Sequence, residues 1–80
     1  MNIKKLDRDH LEAERRRSEA TDILDEIIAD DLDKLRSVGW DNAADFVADM
    51  QERREKYGEN LYVSQAQLDW LYNIKEKLEE

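Results

Sequence analysis

Eighty residues allow at most one small domain, and the absence of cysteine excludes disulfides and thiolate metal sites. The formal net charge is −8, and no apolar run approaches the roughly 20 residues that a membrane span requires. With no proline and only two glycines, Gly39 and Gly58, long helices are permitted almost everywhere.

The opening Met1-Asn2-Ile3-Lys4-Lys5 is followed by no apolar run, so it reads as neither a secretory signal nor an anchor, and the cytoplasm is the expected compartment. Residues 1–17 carry six Lys/Arg against four Asp/Glu, a net of +2. A register through Leu6, His10, Ala13, Arg17, Ala20, Leu24 and Ile27 can be drawn, but its His and Arg make a poor coiled-coil seam. This segment reads as a charged helical extension that orders on a partner or in a dimer. A chain this small gains stability from a partner subunit, and a homodimer is one such route.

The first core helix is predicted over residues 20–37, starting from a cap at Ser18 or Thr21. Leu24, Ile27, Ile28, Leu32 and Leu35 recur at spacings of three and four and form one apolar stripe. Gly39 closes the helix in a left-handed conformation. A second helix is predicted over residues 41–57, with Asp41 as its N-cap, inward positions including Val47 and Met50, and Gly58 as its stop. A third is predicted over residues 64–78. Ser64 and Gln67 have the spacing of a capping box, and Val63 and Leu68 that of a hydrophobic staple. Leu68, Leu71, Ile74 and Leu78 give its stripe. The fold class is all-α: a compact three-helix bundle over residues 18–80 with the extension 1–17. Its predicted core is Leu24, Ile27, Ile28, Leu35, Val47, Met50, Leu68, Leu71 and Ile74.

Charge separates along the chain. Residues 18–50 hold ten acids against two bases, a net of −8, and residues 51–80 a net of −2. Catalysis has little to draw on: the only histidine is His10, and Ser64 is better explained as a cap. The chain reads as a non-enzyme without a cofactor or a metal. Two basic patches, Lys4, Lys5, Arg8 and Arg15–Arg17 in the arm and Arg53, Arg54 and Lys56 further on, offer phosphate contacts, although Glu12–Arg16 and Glu52–Lys56 also have ion-pair spacing. The acidic middle would repel a polyanion.

Protein binding fits better. The candidate acidic row is Asp22, Asp25, Glu26, Asp30 and Asp33, continued by Asp41, Asp45 and Asp49, with Trp40 or Tyr62 as an apolar anchor beside it. Rows of carboxylates can take the place of phosphates in a basic groove. The same acids also read as a solvated surface that keeps a small domain soluble.

The pattern Trp40 … Phe46-Val47 … Arg53-Arg54 … Tyr57-Gly58 … Val63-Ser64 … Gln67 … Leu71 … Ile74 resembles small helical accessory and host-takeover proteins of bacteriophages, over about half the chain. The resemblance implies an inhibitor or adaptor acting in the host cytoplasm, including inhibitors of host defence or nucleic-acid machinery. The leading expectation is thus an acidic module that binds a host protein through its basic, nucleic-acid-binding surface. The alternative is a nucleic-acid-binding accessory protein using the basic arm.

Overall fold

The computed structural model describes the backbone from Asn2 to Glu80 and the side chains from Leu11 onward. The described chain is all-α: α1 (Asn2–Glu26), α2 (Ala29–Ser37), α3 (Asp41–Tyr57) and α4 (Gln65–Glu79), with a short 3-10 turn at Gly58–Asn60 and no strand among the described residues. None of these helices is long and apolar enough to cross a membrane. The side chains of Leu6 and His10 in the drawn register, and those of Lys4, Lys5 and Arg8 in the basic arm, lie outside the described residues.

Two helix boundaries differ from the sequence reading. First, α1 runs unbroken across residues 17 and 18. Ser18 and Thr21 are therefore interior helical residues, and the Thr21 hydroxyl donates to the Ser18 carbonyl oxygen (3.0 Å) instead of capping a terminus. Second, the helix predicted over residues 20–37 is two helices, broken at Ile27-Ile28.

No glycine or proline marks that break; one tertiary and one local side-chain contact satisfy the backbone groups it leaves open. α3 runs back along α1, placing Gln51 beside the end of α1, where its amide nitrogen donates to the carbonyl oxygens of Leu24 (3.3 Å) and Ile27 (3.1 Å). On the other side of the break the Asp31 carboxylate accepts from the Ile28 backbone N–H (3.0 Å). Orphaned groups of both helix ends are thereby satisfied. The change of direction lets α2 pack on α3 while also reaching the far end of α4, where the Lys34 ammonium donates to the Leu78 carbonyl oxygen (3.2 Å).

Ile28 is the one predicted core residue that is not in the core. It is the N-cap of α2 and 59% exposed, because the break takes it off the stripe. The other eight are buried and are joined by Ala20, Ile23, Ala43, Ala44, Leu61 and Val63. Asp41 is likewise not a cap. It is the first residue of α3, after an N-cap at Trp40 that makes no side-chain bond. As a first-turn acid, Asp41 still lies at the favourable end of the helix dipole.

The remaining termini follow the sequence. Gly39 adopts φ +84°; its N–H donates to the Arg36 carbonyl (3.1 Å) and that of Trp40 to the Leu35 carbonyl (2.8 Å), the two bonds of a Schellman ending. At α4 the Ser64 hydroxyl accepts from the Gln67 N–H (3.1 Å), and the Gln67 side chain accepts from the Ser64 N–H (2.9 Å). Val63 and Leu68, the staple pair, are both buried.

α4 runs parallel to α1. Arg16 Nε donates to the Val63 carbonyl (2.8 Å) at one end, and Lys75 meets Glu26 (3.5 Å) at the other. The buried residues of all four helices and of the Leu61–Val63 connection form one cluster. Trp40, Phe46 and Trp70 pack against its edge.

Candidate partner-binding surface

α2 is short, and its sequence divides it cleanly. Leu32 and Leu35 turn inward, whereas Asp30, Asp33 and Ser37, spaced by three and four, share the exposed face. Its two bases do not offset those acids. Lys34 is drawn to the end of α4, and Arg36 pairs across to Asp45 on α3 (3.0 Å). At the two ends of the acidic face stand Ile28 and Val38, 59% and 52% exposed.

The structure sorts the candidate acids into two groups. Asp25 is gripped by the two terminal guanidinium nitrogens of Arg54, Glu26 faces Lys75, Asp45 faces Arg36, and Asp49 pairs with Arg53 (2.9 Å). Asp30, Asp33 and Asp41 are exposed and make no ion pair with any described residue. Asp22 is also exposed, within the field of Arg54. The row drawn along one helix is not continuous, because the break at Ile27-Ile28 redirects α2.

The hydrogen bond from Arg54 lowers the pKa of Asp25 below its ordinary 3.8, and the reciprocal bond raises that of Arg54. Elsewhere the Tyr72 hydroxyl donates to Glu19 (3.0 Å), and that bond, with some burial, raises the phenol above its ordinary 10.0.

The two proposed anchors lie at opposite ends of α4. Trp40 is half-buried, its ring stacked on Trp70 and lying 5.5 Å from the Lys77 ammonium. It adjoins Asp41 and the end of α2. Tyr62 is 67% exposed at the entry to α4, where the Arg16 guanidinium lies 5.9 Å from its ring. Trp40, and not Tyr62, thus stands beside one of the unpaired acids, Asp41.

The described arginines of the basic patches are held by the fold. Arg15 pairs with Glu19 (4.0 Å), Arg16 holds the Val63 carbonyl, and Arg17 holds that of Glu59. Arg53 and Arg54 are paired as above, and the Lys56 ammonium sits 5.4 Å from the Tyr57 ring. Neither Glu12–Arg16 nor Glu52–Lys56 is the contact formed.

No family model matches the chain, and no curated protein or solved structure matches it.

The sequence did not single out one surface feature, an open cleft of about 370 Å³ lined by Arg53, Tyr57, Asn60, Leu61, Tyr62, Ser64 and Gln67. Three of its polar side chains have structural employment: Arg53 holds Asp49, and Ser64 and Gln67 cap α4. Only the helix C-terminus at Tyr57-Gly58 and the loop before Ser64 hinted that these residues would meet. Among the described residues no three His, Asp or Glu side chains converge as a metal-binding group.

Proposed function

We propose that this chain is a small non-enzymatic binding module that docks, through the outward faces of α2 and the start of α3, on a protein with a basic surface. One observation carries the reading. Every described arginine is engaged inside the molecule, by a carboxylate or a backbone carbonyl, while Asp30, Asp33 and Asp41 are exposed and form no ion pair with a described residue. The unbalanced charge is therefore anionic and sits on the outside, flanked by the exposed aliphatics Ile28 and Val38 and by the half-buried Trp40.

Like charges on one helix face repel in the free protein. A basic partner relieves that repulsion and is steered toward it, while desolvated apolar contacts set how long the complex lasts. The partner class in this reading is a host protein whose basic groove normally holds nucleic acid, with carboxylates standing where phosphates would. The bacteriophage resemblance of residues 40–80 makes the role that of an inhibitor or adaptor in the host cytoplasm, including host defence as a target. The competing reading, nucleic-acid binding through the basic arm, has less support because Arg15, Arg16 and Arg17 each have an internal partner.

The test has two parts. Basic proteins captured from bacterial lysate are purified and their association rates measured across salt concentrations, with the parent and with the double variant D30K/D33K. The expected result is a slower, less salt-dependent association for the variant at unchanged helicity. Equal rates at low salt would reduce the acidic face to a solvated surface. In parallel, tight salt-sensitive binding of duplex or single-stranded DNA by the isolated protein would favour the competing reading.

A further inference from the structure

The break between α1 and α2 conflicts with its own sequence. Glu26-Ile27-Ile28-Ala29 contains no residue that stops a helix, and in a straight helix Ile28 would lie on the same stripe as Leu24, Leu32 and Leu35. As the fold stands, Ile28 is 59% exposed and caps α2 without any side-chain hydrogen bond. The groups a straight helix would pair internally find other partners: the Ile27 carbonyl is met by Gln51, the Leu24 carbonyl by Gln51 and by the Ile27 N–H (3.3 Å), and the Ile28 N–H by Asp31.

From this we infer that α1 and α2 can fuse into one helix, and that the fused form is an exchanged dimer with a second copy of this chain. Straightening the two-residue hinge carries α1 away from its own α3 and α4. The vacated site is filled by α1 of the second copy, which makes the same contacts: Glu19 with Tyr72, Glu26 with Lys75, Asp25 with Arg54. Exchange of an identical element keeps the native packing, so the balance is set at the hinge. There the fused helix, about 54 Å long, regains backbone bonds and returns Ile28 to an apolar stripe. What opposes it is charge. Two hinges meeting at a two-fold axis bring together the carboxylates of Glu26, Asp30, Asp31 and Asp33; Lys75 of α4 stands beside Glu26, while Lys34 and Arg36, on α2 itself, are turned to the Leu78 carbonyl and to Asp45. The dimer therefore grows as salt screens that repulsion. This inference is independent of the proposed partner.

The closing experiment refolds the protein at high concentration in about 1 M salt, where charges are screened beyond about 3 Å, and measures the dimer by light scattering after dilution. Ala29→Pro is the blocking variant. Ala29 is the first residue of α2, where proline is favoured, and Ile28 before it is already extended (φ −104°, ψ 174°). In a fused helix the same proline clashes with the Asp25 carbonyl. Gln51→Ala is the opposite variant, since it removes the donor that only the broken form needs. The expected result is a wild-type dimer that persists on dilution, none from Ala29→Pro, and roughly a thirtyfold larger dimerisation constant from Gln51→Ala, since each of the two chains loses one ordinary hydrogen bond of its monomeric form. In dimer assembled from mixed isotope-labelled and unlabelled chains, nuclear Overhauser contacts between Glu19 and Tyr72 should run between chains. A monomeric wild type under these conditions, equal dimer from Ala29→Pro, or Glu19–Tyr72 contacts confined to one chain would each overturn the inference. Should Ala29→Pro not fold, the Gln51→Ala dimerisation constant and the labelled dimer still decide it.

Discussion

Trp40 stacks on Trp70 with ring centroids 5.9 Å apart and planes inclined by 15°. Phe46 meets the same Trp70 ring at 6.3 Å, tilted by 52°. The stack ties the α2–α3 turn to α4, two parts of the chain joined by no short connection. It also places Trp40 in two roles, closing the edge of the core and presenting its remaining surface beside Asp41.

Trp40→Ala should therefore destabilise the protein before it affects any partner. A buried Trp truncation costs about 3–5 kcal/mol; a half-buried ring with one stacked neighbour should cost about 2–3 kcal/mol. Urea unfolding followed by circular dichroism measures the loss. Trp40→Phe, which keeps an aromatic against Trp70, should recover at least half of it.

Ser64→Ala removes the oxygen that accepts from the Gln67 N–H, and should cost about 1 kcal/mol. Gln67→Ala removes the reciprocal bond to the Ser64 N–H. Because the two bonds belong to one cap, the double variant should cost less than the two single losses added together. An unmoved melting curve for Ser64→Ala would show that the box contributes nothing.

Ile28→Ser should stabilise the protein. The isoleucine is exposed and offers the first turn of α2 no acceptor, whereas serine at an N-cap is worth about 0.5–1 kcal/mol. A residue on a buried stripe would give the opposite sign, so this one substitution separates the two environments by thermal unfolding.

Two titrations follow from paired groups. Asp25 is held below 3.8 by Arg54, so its contribution is complete above the unfolded value and is lost as pH falls through the lower folded one. Carboxyl chemical shifts should show Asp25 titrating below the ordinary aspartate range, and Arg54→Met should return it there. Tyr72 behaves in the opposite sense. Its raised pKa means that the protonated phenol is favoured in the fold, and that contribution is lost as pH rises through the folded value, above 10.0. Absorbance at alkaline pH should show Glu19→Gln lowering this midpoint.

By itself the sequence determined the all-α class, the turn at Gly39, the capped start of α4 and eight of the nine predicted core residues. These depend on local chemistry, since a left-handed glycine, a Ser–Gln box and a 3.6-residue apolar period act within one or two turns of chain. Tertiary structure decided the rest. Residues 20–37 have the pattern of one continuous helix, and the Ile27 carbonyl at the break is met by Gln51, 24 residues further along and brought there by the return of α3. The same holds for the surface. Sequence shows where acids and bases lie along the chain, but which acids keep their charge unbalanced depends on partners far away in the chain: Arg54 for Asp25, Lys75 for Glu26, the Leu78 carbonyl for Lys34. A charge is neutralised by what folding places within a few ångströms of it, and no spacing along a single helix contains that information.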